Sequence, residues 1–408
     1  MSTGILNTGQ LTQDTAAKSF NSMIMRYMPN GMAPLFGLTA LASDETALQS
    51  EHGYFSKTML FPQFQVSAAG QASGDLTFTV VSTANMLPGM IMRVDTTGEN
   101  IIVNSVISLT QLSVSRAIGT VSAQAIAANI FCYQVGNAFE EGSLRPQSLI
   151  INPVRITNFT QIFRNTWAIT DSARATAMIA GETNVAESKQ DCVGFHAADI
   201  EKAIFFGQKS QGTRNGQPFR TLDGLINIVG NIAYYPSYYA AVNVSTALST
   251  TNYTQLEGFL DPVFNQATDP KVANERALFV GGAAKRVLNN IGRLNGTYEL
   301  MHDQTQFGLQ FSTFRTARGT FRMIEHPLFN SNVSWGKMAV AVDLNTFRLA
   351  YLGDRKTQNK EFNMPGATDV SDNGIDAVGG TLTTELTTVV KNPPANAVIY
   401  NLTAAAAG

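Results

Sequence analysis

No lysine occurs between Lys57 and Lys189, and the first part of that stretch is a run of short alternating segments. Leu76, Phe78 and Val80 alternate with Thr77 and Thr79. Residues 90–94, 101–107, 112–116 and 130–135 repeat the apolar–polar pattern of half-buried strands. Pro88-Gly89, Thr97-Gly98 and Ile118-Gly119 supply turns between them. Strands this short and this closely spaced predict a small β-barrel or sandwich over residues 67–142. Its two ends must emerge side by side, so the flanking segments 51–66 and 143–170 are expected to pair as one long hairpin. A chain that holds so many residues outside its main core is expected to bury them against copies of itself. That is the layout of an assembly subunit.

Beyond the module, residues 183–208 carry the period of one long amphipathic helix. Ala186, Val193, Ala197, Ile200 and Ile204 form its stripe, with Glu187, Asp191, Glu201 and Lys202 mostly off it. Such a helix runs roughly 39 Å. Thr183 and Ala186 lack a full capping box, while Glu182 and Glu187 suit the positive end of the dipole. Gly194 inside it costs about 1 kcal/mol relative to alanine; close packing of another backbone there is one explanation. Gly207 and Gly212 mark its end.

Residues 1–50 read as an extended arm with at most a short helix, broken by Gly4, Gly9, Pro29, Gly31, Pro34 and Gly37. Met23, Ile24, Tyr27, Leu35 and Phe36 make it too apolar for a solvated tail. A Gly-rich crossing follows the long helix over residues 211–223. Then come a helix over 256–264 that Pro262 kinks or restarts, a buried strand over 277–280 and a helix over 283–291. Strands resume at 307–314, 320–324, 338–342 and 347–351. Residues 380–402 alternate through Leu382, Leu386, Val389, Val398 and Tyr400, with Asn392-Pro393-Pro394 as a turn.

Charged residues make up 14 % of the 408, against about a quarter in ordinary soluble domains. Neutral polar residues fill the gap, as suits a surface that becomes interface. The net charge of −2 gives no strong attraction to nucleic acid. Arg315 with Arg318, and Arg355 with Lys356, are basic clusters too short to read a groove. Cys132 and Cys192 are too far apart for a disulfide framework or a metal motif and sit among apolar neighbours, so both read as buried free thiols. The first residues lack the basic and apolar regions of a secretory signal, and no apolar run is long enough to span a bilayer. Asn158, Asn243 and Asn401 open Asn-x-Ser/Thr triplets that read as chance matches.

A search for chemistry assigns no catalytic, cofactor-binding or metal-binding residue. His52, His196, His302 and His326 are the histidines, and His196 lies near the inner stripe of the long helix as a packing residue. Glu299 and His302 have the Glu-x-x-His spacing of carboxylate-bridged metals, without the second copy that such a site needs. The turn at Gly281-Gly282, followed by Lys285-Arg286, lacks the spacing and hydroxyl residue of a phosphate loop. No nucleophile elbow or zinc helix is present. An enzyme is not expected.

The order of parts, with several local phrases, resembles the major capsid proteins of tailed bacteriophages, in the family whose extended loop carries a β-rich insertion. The phrases are Arg155-Ile-Thr-Asn-Phe-Thr-Gln-Ile-Phe163, Asp199-Ile-Glu-Lys-Ala203, Phe219-Arg-Thr-Leu-Asp-Gly-Leu225, Gly380-Thr-Leu-Thr-Thr-Glu-Leu386 and Ala397-Val-Ile-Tyr-Asn-Leu402. The resemblance implies an α+β, HK-ninety-seven-like fold. Its parts would be an N-terminal arm (1–50), an extended loop (51–66 and 143–170), the inserted module (67–142), a peripheral domain with the spine helix (171–221 and 351–408) and an axial domain (222–350). It implies an icosahedral shell around double-stranded DNA, built from hexamers and pentamers in the bacterial host cytoplasm and ending in the virion. The implied partners are other copies, a separate scaffolding protein, a portal, decoration proteins and DNA held by weak non-specific contact, with no membrane. An encapsulin-like cargo shell and a phage tail or baseplate protein are the alternatives. Some capsids of this fold cross-link a loop lysine to a neighbour's asparagine; Lys57 lies at the loop base, so no covalent cross-link is expected.

Overall fold

The computed structural model describes residues 33–39, 44–57, 62–150, 152–176, 183–235, 241–265, 274–294, 304–306, 309–364 and 375–406. Most of the arm, Glu182, the Glu299–His302 pair and Phe307 lie outside the described residues. The described residues divide into two compact units, those within Phe55–Arg155 and the remainder.

In chain order, the arm ends in helix α1 (Pro34–Thr39), followed by strands β1 (Glu45–Ala47) and β2 (Glu51–Ser56). The smaller unit then contributes β3 (Gln63–Gln65), β4 (Thr77–Thr79), β5 (Met90–Val94), β6 (Asn100–Ser108), β7 (Gln111–Ser115) and β8 (Phe131–Asn137). They form one antiparallel sheet in the order β3-β8-β5-β6-β7-β4. A bridge between Val66 and Val80 joins the two outer strands and closes the sheet into a barrel. Closure removes the sheet edges that would otherwise invite pairing. The strand alternation decides what fills it: Met90, Met92 and Val94 of β5, Ile101 and Val103 of β6, and Leu112 and Val114 of β7 point inward with Phe64, Phe78 and Cys132. The barrel also takes one strand, β3, from the segment 51–66 that was expected to belong wholly to the flanking hairpin.

In the larger unit, β9 (Val154–Phe159) pairs with β2, and β10 (Gln161–Thr170) pairs with a strand near the C-terminus rather than with residues 51–66. A Cβ on Gly53 would stand 2.3 Å from the Ile156 carbonyl oxygen, so only glycine allows β2 and β9 to approach this closely. After the short helix α2 (Asp171–Ala175) comes the long helix α3 (Asn184–Phe206), capped by Thr183, whose hydroxyl accepts from the Ala186 N–H at 3.1 Å. Its buried face is Cys192, His196, Ala198, Ile200, Glu201, Ile204 and Phe205. Of the expected stripe only Ile200 and Ile204 lie on it: Ala186 and Ala197 are half-buried, Val193 is exposed, and Glu201, expected off the stripe, is fully buried.

Residues 211–223 are not an irregular crossing. They hold a hairpin, β11 (Ser210–Arg214) with β12 (Gln217–Thr221). Asn215 and Gly216 between them have φ of 51° and 73°. That is the two-residue turn in which both residues take positive φ, for which Asn-Gly is the strongest short signal. The strands themselves are polar and exposed, so no apolar alternation drew attention to them. Helix α4 (Leu225–Val229) follows, led in by Gly224, where a Cβ would meet the Gly207 nitrogen at 2.5 Å. The phrase ending Leu-Asp-Gly-Leu225 thus reflects a chain passing tightly beneath the end of α3.

The rest of the unit introduces β13 (Val244–Ser245), β14 (Thr250–Thr251), α5 (Tyr253–Leu260), β15 (Glu275–Val280), α6 (Gly282–Leu294), β16 (Gln304–Gln306), β17 (Leu309–Arg315), β18 (Thr320–Glu325), β19 (Ala339–Val342), β20 (Phe347–Leu352), β21 (Gln358–Phe362), β22 (Ala377–Val390), β23 (Ala397–Ile399) and β24 (Ala404–Ala405). Pro262 stops α5 as an α-helix, and the chain continues as a 3₁₀ turn over Asp261–Phe264. Seven strands form a mixed sheet in the order β13-β23-β19-β15-β18-β17-β16. Both of its faces are covered, so its central strands are continuously apolar. Phe279, Val340 and Val342 face Ile200, Ile204 and Phe205 of α3, while Leu278, Val280, Ala339 and Ala341 face Leu256 and Leu260 of α5 and Val287, Leu288 and Ile291 of α6. A second sheet runs β1-β20-β22-β10, with β21 also on β22. Its long strand β22 registers residue by residue with β10 from Ala377–Thr170 to Leu386–Gln161. The architecture is α+β.

Candidate functional site

Polar side chains that are buried far from water decide how the larger unit is tied together. Glu201, on the inner face of α3, accepts the backbone N–H groups of Leu35 and Phe36, each at 2.8 Å. These are first-turn amides of α1, which have no partner within a helix. The carboxylate also lies 2.8 Å from His326 Nε2, and His326 Nδ1 accepts the Leu328 N–H at 3.2 Å. With Nδ1 an acceptor, the ring proton sits on Nε2 and is donated to Glu201. Glu201 is fully buried and His326 likewise. One carboxylate therefore pins the end of the arm, the long helix and the segment after β18 to one another.

Asn158 makes a second tie. Its side chain donates to the Asp223 carbonyl (3.0 Å) and to the carbonyl and hydroxyl of Thr388 (3.1 and 2.8 Å), and accepts from the Asp223 N–H at 2.7 Å. Thr160, two residues on, donates to Glu385 at 2.9 Å. Glu385 is buried, with Arg355 Nε 3.2 Å from it. The triplet beginning at Asn158 is thus structural, and so is that at Asn243, whose amide donates to the carbonyls of Pro394 and Asn396 (2.6 and 3.2 Å).

His196 hydrogen-bonds Asn165 Oδ1 through Nδ1 and Thr384 Oγ1 through Nε2, both at 2.7 Å. Burial pushes its pKa below the ordinary histidine value, and the nearby Asp199 carboxylate opposes this only partly. The unfolded chain then takes up a proton near pH 6.5 that the folded chain resists. Stability contributed by the neutral ring is complete above that pH and is lost as pH falls through it toward the lower folded value. Denaturant midpoints of the subunit should fall between about pH 7 and pH 5. His196→Gln should flatten that slope, and an unchanged slope in the variant would refute the assignment.

The remaining candidates resolve into packing. His52 lies 3.5 Å from Glu45. Gly281 is needed because a Cβ there would stand 2.4 Å from the Gly336 carbonyl oxygen, and Lys285 pairs with Glu325 at 3.4 Å. Arg318 bonds the Asn265 side chain, and Lys356 pairs with Asp44 at 2.6 Å. Among the described residues no group of three acidic, histidine or cysteine side chains is placed to hold a metal, and no helix is long and apolar enough to cross a membrane.

In the barrel, Arg116 forks onto Glu99, with Nε–Oε1 at 3.0 Å and Nη2–Oε2 at 2.6 Å. The backbone N–H groups of Ala117 and Gln124 add to the carboxylate at 3.1 and 3.3 Å. Burial alone would raise the Glu99 pKa; the Arg116 and amide hydrogen bonds outweigh it and hold the carboxyl below its usual range. Sequence patterning missed this pair because a single buried charge leaves no periodic trace.

What the geometry offers is a set of internally hydrogen-bonded clusters and a surface dotted with apolar side chains. Val193 and Phe195 on α3, Phe219 on β12, and Ile107 and Leu109 in the barrel are all exposed. Residues 4–403 match the family described as SU10 major capsid protein. The chain belongs to that family. It is also similar to the major capsid protein of Pseudomonas phage PaMx41, at 40 % identity over 408 residues, covering 98 % of this chain and 96 % of that protein. Among solved structures, a capsid of an empty GTA particle is similar at a TM-score of 0.46 and 10 % identity, over 98 % of this chain and 100 % of that one. Mycobacterium phage Bobi gives 0.42 and 8 %, over 97 % and 99 %. The holo-SrpI encapsulin of Synechococcus elongatus PCC 7942 gives 0.38 and 12 %, over 62 % and 77 %. The chain is a phage major capsid protein, and the family match favours neither a cargo shell nor a tail protein.

Proposed function

We propose that copies of this subunit close into an icosahedral shell of hexamers and pentamers around the double-stranded DNA of a tailed bacteriophage. The family match over residues 4–403 carries this reading. Assembly takes place in the host cytoplasm with a separate scaffolding protein and a portal, with decoration proteins added to the finished shell. The division of labour is that of the resemblance. Parts of the arm (1–50) and of the extended loop (51–66 and 143–170) lie on neighbours, while α1, β1 and β10 pack within their own subunit. The peripheral segments (171–221 and 351–408) surround the spine helix, residues 222–350 gather at the symmetry axes, and residues 67–142, with β3 completing their sheet, form a separate module. The subunit does no catalysis. DNA is held by closure of the shell, since a net charge of −2 supplies no electrostatic grip.

The low charge and the scattered exposed apolar side chains support many modest contacts repeated by symmetry, which stabilise a shell without any single tight interface. Electron microscopy of the purified chain with its scaffolding protein should show closed shells. Sedimentation that finds only monomers under those conditions would overturn the reading.

The shell holds without covalent cross-links. Cys132 and Cys192 are buried, and burial raises the Cys132 thiol to about 12 and pushes Cys192 upward as well, so neither is a ready thiolate. Mature particles boiled in denaturant should run as one band near 44 kDa. A ladder of multimers that survives reductant would contradict this.

A further inference from the structure

The two faces of the β1-β20-β22-β10 sheet differ in charge. On one, Phe163, Leu386, Trp167 and Leu382 pack with Ile200 and Cys192 of α3. The other face is read from register. Arg164 of β10 and Gln358 of β21 both stand opposite Thr383 of β22, and Thr166 and Lys360 stand opposite Thr381. Residues directly opposite one another share a face, and the Thr166 and Thr381 hydroxyls meet at 3.2 Å. Ile162 lies on the same face opposite Glu385 and is 46 % exposed. Glu385 is buried, with Arg355 Nε at 3.2 Å and Arg220 Nη2 at 3.8 Å. Arg164, Arg220, Arg355 and Lys360 thus gather around one carboxylate, with Asp354 the only other acid in the turn beside Arg355. Arg164 and Lys360 are exposed and have no ion partner among the described residues.

The complementary charge follows the barrel. Glu140 and Glu141 come after β8, both exposed and neither with an ion partner among the described residues. The chain then turns, the Ser143 N–H bonding the Glu140 carbonyl at 3.1 Å. Residues 144–150 are all exposed, form no strand or helix and make no backbone hydrogen bond among the described residues. Leu144 is 92 % exposed and Ile150 74 %. Arg145 lies beyond the turn and leaves the two carboxylates adjacent and unneutralised. A segment with apolar side chains and no internal partner is one that a second surface can order.

We propose that Glu140 and Glu141 of one copy dock on the Arg164, Arg355 and Lys360 face of the next copy. Carboxylates and cations left unpaired within one chain satisfy each other in a head-to-tail contact, where every copy gives one surface and receives on another. Such contacts close into rings when the rotation permits. Complementary charge fixes the register of the contact and excludes wrong partners. Arg355 suits the receiving role, because Glu385 holds its guanidinium while half of the side chain stays exposed. Ile162 offers an apolar contact within the same face. Exposed ion pairs are individually weak and screened by salt, so the contact counts through its repetition around each ring. The inference rests on the reading of the chain as a shell subunit and deepens it by naming the surface that receives the start of the returning loop.

Charge exchange in the full chain, assembled with its scaffolding protein, tests it. Glu140→Lys with Glu141→Lys should lose most of the particles, and Arg164→Glu with Lys360→Glu should do the same. All four substitutions together should restore them, because opposite charges again meet. Urea unfolding of the free subunit should be unchanged in all three variants, since none of these side chains has an internal ion partner. Should a reversal variant not fold, Glu140→Gln with Glu141→Gln reads the same contact. Its particles should come apart at a lower temperature than unsubstituted ones at low salt, and at the same temperature at high salt. A fourfold variant that is not restored, while the unsubstituted chain forms particles, would overturn the proposal. So would a deficit confined to the Arg164 and Lys360 variant, which would give the face to another acidic partner. Failure of the unsubstituted chain to form particles would sink the shell reading, and this inference with it.

Discussion

Glu201→Ala should destabilise the subunit by about 3–5 kcal/mol, the range seen when one partner of a buried charged contact is removed. The variant strands the amides of Leu35 and Phe36 and the Nε2–H of His326 in a dry core. Each unsatisfied buried donor costs about 1–3 kcal/mol. Glu201→Gln keeps the volume but turns an NH₂ toward donors, so its cost should be smaller, about 1–3 kcal/mol. Urea unfolding followed by the fluorescence of Trp335, which stacks on Phe206 at 4.4 Å near the end of α3, measures both. The midpoint should fall with little change in slope. A loss within about 0.5 kcal/mol for Glu201→Ala, the range of an ordinary surface substitution, would mean that α1 is held by something other than this carboxylate.

Arg116→Ala should open the barrel by a similar margin, because it leaves Glu99 buried with no countercharge. The thiol of Cys132, fully buried among the barrel side chains, reports opening without disturbing the rest of the subunit. If labelling proceeds through the open state, about 3–5 kcal/mol corresponds to an increase of roughly 10²- to 4 × 10³-fold in labelling rate. Replacing both partners, Arg116→Met with Glu99→Gln, should recover much of the loss, since no buried charge remains. The pH dependence carries a definite sign. The Glu99 carboxyl titrates below its usual range when folded, so its contribution is complete above the ordinary glutamate value and vanishes as pH falls through the folded one. Unchanged labelling in Arg116→Ala would show that the pair is incidental.

The two predictions concern residues of a kind that sequence reading handles worst. Glu201 was set on the solvent side of its helix because charged residues usually are. It is buried because its partners, Phe36 and His326, stand 165 and 125 residues away and converge on it only in the fold. Asn158 lies in the run Arg155 to Phe163 with no periodic signal of burial; it bonds Asp223 and Thr388, again remote in sequence. The Asn215-Gly216 hairpin is a different kind of miss. Its turn signal was local and legible, but its polar strands gave no alternation to frame it.

What the sequence determined by itself is whatever rests on local periodicity and backbone geometry. The barrel strands β5 to β8 follow from alternation, since a strand puts every second side chain inward. Helix α3 follows from its period and its Thr183 cap, and the buried strand β15 from an unbroken apolar run. The low charge and the layout pointed to an assembly subunit, and the order of these parts with the local phrases resembled a capsid protein. Only the tertiary structure decided that β10 pairs with β22, that a bridge from Val66 to Val80 closes the barrel, and that two bulges turn Val106 and Ile107 outward together. Pairing, closure and register depend on which distant backbone groups can satisfy one another once the apolar faces are buried. No window of neighbouring residues contains that information.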